Sequence, residues 1–130
     1  MAIAALKLSP ATVANMEPVV FHIVDVDEWS AGADSGDYAP KSLAVEGFIH
    51  LSQRHQIVHA ANLFYRGQTS LCVLSIVASR LRSRLVYEPG SAGEDALFPH
   101  LYGPLNRDAV RAVSDFPCGP DGYFGLPETL

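Results

Sequence analysis

The chain is short of cysteine, of charge and of long apolar runs, and each shortage removes a class of protein. Its 130 residues include two cysteines, Cys72 and Cys118. That is no disulfide framework, so the fold must rest on its own core, and the usage suits a reducing compartment. Cys72 lies inside the apolar stretch 71–76 and reads as a small core residue, whereas Cys118 falls in a Pro/Gly turn. Charged residues make up 18%, and 14 acidic side chains outnumber 9 basic ones, for a net charge of −5. A surface poor in cations is not built to follow a phosphate backbone, so long nucleic acid is not an expected partner. No apolar run is long enough to span a bilayer, so no membrane is expected either. Lys7, Ser9 and Pro10 interrupt the apolar centre that a signal peptide would need. Residues 1–18 therefore read as a flexible tail, with Met16 a candidate start, and the expected location is the cytoplasm.

What the chain does have is pattern. Hydrophobic residues reach 48%, enough for one domain over residues 19–130. Residues 19–24 are apolar and β-branched and read as a strand. Asp25 follows as a helix cap, with Glu28 at capping-box spacing and Trp29 and Ala33 on one face. Pro40 suits the start of a second short helix, 41–46, and Gly47 its left-handed end. Residues 48–52 alternate as a strand. Residues 53–66 form the clearest helix, with Ile57, Ala60, Ala61 and Phe64 as its buried stripe. The stretch 71–76 is apolar throughout and suits a central strand covered on both faces. Strands over 84–88, 97–102 and 109–113 follow, with a Gly-rich acidic loop at 89–95. Residues 118–127 are turn-rich, with Tyr123 and Phe124 pinned to the body. This order is α+β: small, mostly antiparallel sheets with packed helices. A monomer or weak dimer is expected.

Three of the five histidines sit within strands: His22, His50 and His100. In Phe48-Ile49-His50-Leu51-Ser52, alternation aims Phe48, His50 and Ser52 one way and Ile49 and Leu51 the other. In Phe98-Pro99-His100-Leu101-Tyr102, the residues Phe98, His100 and Tyr102 share a face. Each strand thus presents an aromatic ring, an imidazole and a hydroxyl together, the composition of a ligand pocket. Any one of these histidines alone would more often be a core residue with one hydrogen bond; three in separate strands point to a site. Pro99 lacks a backbone donor and places its strand at an edge or bulge. His55 and His59 have the i, i+4 spacing of a zinc helix, but Gln56 stands where the glutamate base belongs, so a solvated face is the reading there. Glu88 ends a strand near the Gly-rich loop, and Glu46 reads as a helix-end residue. No metal is expected, although convergence of His22, His50 and His100 would make a metal site a third reading.

The run Ser42-Leu43, Glu46-Gly47-Phe48-Ile49-His50-Leu51-Ser52, then Ala61-Asn62 and Phe64-Tyr65-Arg66-Gly67, resembles domain-of-unknown-function family 952, as does Phe98-Pro99-His100-Leu101-Tyr102-Gly103-Pro104-Leu105. A more remote resemblance links Phe21-His22-Ile23-Val24, Glu46-Gly47-Phe48 and Ile49-His50-Leu51-Ser52 to the RNA 2′-phosphotransferases of the ADP-ribosyltransferase fold. It implies that fold, with NAD as co-substrate and a small-molecule or nucleotide partner. It implies His22, Phe48, Tyr65 and Tyr102 on the cofactor, and His50, Ser52, His100 and Glu88 in the chemistry. Ile23-Val24 replaces that fold's Gly-Thr, and its arginine set is not evident. The alternative is a nucleotide or metabolite binding module that kept the pocket and lost the chemistry.

Overall fold

Two three-stranded antiparallel sheets meet at one pair of backbone hydrogen bonds. The computed structural model describes residues 18–90, 92–93 and 95–130. Strand β1 (Val19–Asp25) pairs along its whole length with β4 (Leu71–Val77), which also pairs with β8 (Val110–Asp115). Every residue of β4 is buried, as its unbroken apolar run and middle position require. In the second sheet β6 (Leu97–Tyr102) lies between β3 (Ile49–His50) and β5 (Arg84–Pro89). The Phe21 N–H donates to Ser52 O at 2.8 Å and the Ser52 N–H to Phe21 O at 2.7 Å, which joins the sheets. A further short ladder, β2 (Asp37–Tyr38) with β7 (Leu105–Asn106), is not legible from the sequence pattern.

Alternation distributes the core over both faces. Val20 and Val24 from β1 pack with Ile49, Leu51, Leu74, Ile76, Leu101 and Leu105. Phe21 and Ile23 point the other way and pack with Ile57, Ala61, Val73, Phe116 and Phe124. The last of these anchors the C-terminal turns: Asn62 accepts from the Phe124 N–H at 2.7 Å and donates to its carbonyl at 3.3 Å. Tyr123 remains half exposed beneath the Arg66 guanidinium, 4.3 Å from its ring centre. Cys72 is buried, and burial pushes its thiol up to about 11.

Helix α1 (Val26–Ala31) starts where Asp25 accepts from the N–H groups of Asp27 at 2.9 Å and Glu28 at 3.3 Å. Glu28 does not close the box; its carboxylate accepts from the Tyr38 hydroxyl at 3.1 Å. Asp25→Ala is expected to cost about 1 kcal/mol, read as a lower denaturation midpoint at unchanged slope. Helix α2 (Lys41–Glu46) ends at Gly47, whose φ of 85° turns the chain back into β3.

Four expectations need correction. The strand over 48–52 is the two-residue β3, Ile49–His50, with Ser52 in a separate bridge to Phe21. The helix over 53–66 is a 3-10 turn, Arg54–Gln56, followed by the shorter helix α3 (Ile57–Phe64). Gln56 is turned inward: it accepts from the Gln53 N–H at 2.9 Å and donates to Leu97 O at 2.7 Å, tightening that first turn. Phe64 is half exposed rather than part of the buried stripe. Pro99 sits on a middle strand, not an edge. The β3 ladder stops at His50 opposite His100, and Pro99 contributes only its carbonyl, taking the Leu51 N–H at 2.9 Å, so no donor is missed. Of the expected tail, residues 1–17 lie outside the described residues, and Pro18 is already tied to Ala78 at 3.0 Å. Among the described residues no helix is long and apolar enough to cross a membrane.

Candidate functional site

His50 and His100 are cross-strand partners, directly opposite in the β3–β6 register. Because Ile49, Leu51 and Leu101 take the core face, both imidazoles go to the other face, with ring centres 5.4 Å apart. Phe48 stacks on His100 at 4.2 Å and meets His50 edge-on at 4.8 Å, so the two imidazoles share one aromatic support.

Each imidazole also holds a carboxylate. His100 Nδ1–H donates to Glu88 Oε1 at 2.7 Å, and the Tyr102 hydroxyl donates to the same oxygen. Glu88 lies opposite Phe98 in the β5–β6 ladder, a diagonal position from which a long side chain reaches His100. The Tyr102 hydrogen bond, then that of His100, holds the Glu88 carboxyl below the usual carboxylate range, and Glu88 in turn raises the Tyr102 phenol. On the other strand His50 Nε2–H donates to Glu46, which the left-handed turn at Gly47 swings beside it. Both side chains of that pair are more than a third exposed, so it adds little to stability. A neutral imidazole donates from one nitrogen and accepts at the other. His50 Nδ1 and His100 Nε2 are the nitrogens left without partners among the described residues.

Glu46, His50 and His100 border a cleft of about 330 Å³. Ile23, Leu51, Ala60, Phe64, Tyr65 and Phe98 form its apolar wall, and Glu46, His50, Ser52 and His100 its polar side. Burial raises the Tyr65 phenol, keeping it protonated. Phe48, Tyr102 and Glu88 stand behind the histidines rather than on this wall. Of the Gly-rich loop, Gly90 reaches the cleft.

His22 does not join the other two imidazoles, contrary to the expected gathering of all three. Alternation sends it to the face of Val20 and Val24, where it borders a second cavity of about 230 Å³ with Asp25, Glu28, Tyr38 and Lys41. Its Nδ1–H donates to the His50 carbonyl at 2.7 Å, so it touches the site through the backbone. Burial lowers its pKa to about 4, which leaves it neutral. The two cavities share Ile23 and Tyr65. Among the described residues no three His, Cys, Asp or Glu side chains converge as metal ligands. His55 and His59 are exposed.

Sequence reasoning passed over Glu46. The signal was its four-residue spacing from His50 with a glycine between, which reads as a helix end until the turn is seen to fold it back. Phe64 was also missed as a cleft residue, because helical periodicity cannot separate a buried stripe from a cavity wall.

The crystal structure of protein CC0527 from Caulobacter crescentus resembles this chain at 33% identity and a TM-score of 0.74, over 83% of this chain and 94% of that one. The solution NMR structure of CC0527 gives 33% identity and a TM-score of 0.72, over 86% and 96%. No curated protein matches. Residues 23–113 match the family described as Protein of unknown function (DUF952), and the chain belongs to that family.

Proposed function

We propose that this chain binds NAD at the histidine cleft and transfers the ADP-ribosyl group to a small molecule or nucleotide, on a fold related to the ADP-ribosyltransferases. One observation carries the reading. His50 and His100, each from a strand with an aromatic ring and a hydroxyl on the same face, stand side by side in an aromatic-walled cleft, with a carboxylate on each. Such a transfer breaks the C1′–N bond, and its electron pair leaves with nicotinamide. The acceptor's lone pair then forms the new bond to C1′, and its proton passes to a free imidazole nitrogen. Carboxylates beside the cleft favour the positive charge that builds on the ribose, and an apolar wall strengthens that effect. Ser52 and the two imidazoles serve the nicotinamide side. His22 and Tyr65 serve the ribose side, across the wall that both cavities share.

NAD and ADP-ribose titrated into the protein are expected to shift the His50 and His100 resonances, with nicotinamide released from NAD. His100→Ala is expected to slow release by about 100-fold or more, the usual share of a general base. If neither ligand moves a resonance of His22, His50 or His100, the proposal fails.

A second reading is a non-catalytic nucleotide or metabolite binding module. One observation favours its metabolite form: Lys41 is the single lysine or arginine bordering either cavity among the described residues. A pyrophosphate is ordinarily gripped by more cations than that. Binding without nicotinamide release would select this reading.

A further inference from the structure

We infer that Glu46 is the residue that reads ligand charge in the cleft, and that the ligand group it selects is a flat organic cation carrying N–H donors. The inference rests on the reading above that this cleft is the ligand site, and it names the class of group the cleft accepts.

The two carboxylates near the histidines are not equivalent. Glu88 Oε1 already takes two hydrogen bonds, from His100 and Tyr102, and its side chain lies behind His100 rather than on the wall. Its charge is largely committed to fixing the His100 ring. Glu46 borders the cleft and holds a single partner, His50, through one oxygen. A carboxylate carries about four acceptor sites, so capacity remains for a ligand.

The rest of the cleft agrees in sign. No lysine or arginine borders it among the described residues. His100 is 3% exposed, yet it borders the cleft with one nitrogen lacking a partner. In the neutral ring that nitrogen is an acceptor, as is the free nitrogen of His50. The polar side therefore offers acceptors and a negative charge, and the rest of the lining includes the aromatic side chains of Phe64, Tyr65 and Phe98. Aromatic faces and a carboxylate both attract cations, whereas a bare anion would meet repulsion. A flat cation with N–H groups satisfies every one of these features, and a pyridinium bearing a carboxamide is one such group.

The test uses two probes of nearly the same shape on the full chain: N1-methylnicotinamide, a cation, and nicotinamide, its neutral counterpart. Imidazole resonances of His50 and His100 report binding. The cation is expected to bind at least about tenfold more tightly, the order of one charge pair at partial exposure. Glu46→Gln keeps the shape and an acceptor for His50 but removes the charge, and is expected to bring the two affinities together. Equal or tighter binding of nicotinamide overturns the inference, as does silence from both probes or an undiminished preference in Glu46→Gln. Binding of NAD and NADH with equal affinity would also overturn it while leaving NAD binding in place. A cation preference without any NAD binding would uphold it and remove the NAD reading instead.

Discussion

Lowering the pH from 6.5 to 4 is expected to cost the folded state about 3 kcal/mol through His22 alone. The imidazole is buried against Tyr38, and burial lowers its pKa from 6.5 to about 4. The unfolded chain therefore takes up a proton near 6.5, where the folded chain does not. Stability falls across that window as the proton count of the unfolded state rises, at about 1.4 kcal/mol per pH unit. Below about 4 both states are protonated and the loss is complete. Glu88 and Asp108 act separately. Their pKa values are lowered from 4.5 and 3.8, so the stability they contribute holds above those values and is lost as pH falls through their folded ones. His22→Asn supplies an N–H for the His50 carbonyl without a group that titrates here. It should flatten the pH dependence between 6.5 and 4, whatever its stability at pH 7. Urea titrations at several pH values measure this directly. A folded-state titration of His22 near 6.5, seen by NMR, would remove the effect.

The fold was legible wherever one face of an element is dry. Val19–Asp25 and Leu71–Val77 carry apolar side chains at nearly every position because each is covered on both faces. Gly47 and Asp25 mark helix ends because a left-handed turn and a capping carboxylate are needed at those places. Illegible were features set by distant partners. Gln56 tightens a helix start only because Leu97 O lies within reach, 41 residues along the chain. The β2–β7 ladder is two residues deep on each side, too short to leave a period in the sequence.

The site was half legible for the same reason. Period-two alternation predicts that His50 and Ser52 part from Leu51, and that His100 parts from Leu101; the second separation holds, whereas Leu51 joins the core cluster and also borders the cleft. Alternation cannot say which face of one sheet meets which face of another. Residue type groups His22 with the other imidazoles, yet the register at the Phe21–Ser52 bridge turns it to the face of Val20. The bridge rests on two hydrogen bonds between β1 and the segment just after β3, and no local pattern encodes it. Glu46 and Glu88 entered the cluster through a turn and a diagonal pairing, both of which are tertiary facts.

Adjacent substitutions on the same extended segment should therefore differ most in their cost to stability. Leu51 is 2% exposed within the main core cluster, and Leu51→Ala is expected to cost roughly 2–5 kcal/mol as a cavity. Leu51 also borders the cleft, so a smaller loss of affinity accompanies the loss of stability. His50→Ala removes an imidazole that is more than a third exposed, and whose one side-chain hydrogen bond is to the exposed Glu46. The carbonyl that accepts from His22 belongs to the backbone and survives the change. Its stability cost should stay below about 1 kcal/mol, while affinity for NAD or for N1-methylnicotinamide falls. Denaturant titration and calorimetric ligand titration on the two variants give four numbers. A loss of stability in His50→Ala equal to that in Leu51→Ala would mean that the imidazole packs as core. In that event the cleft's polar side would be a structural network rather than a place where a ligand is met.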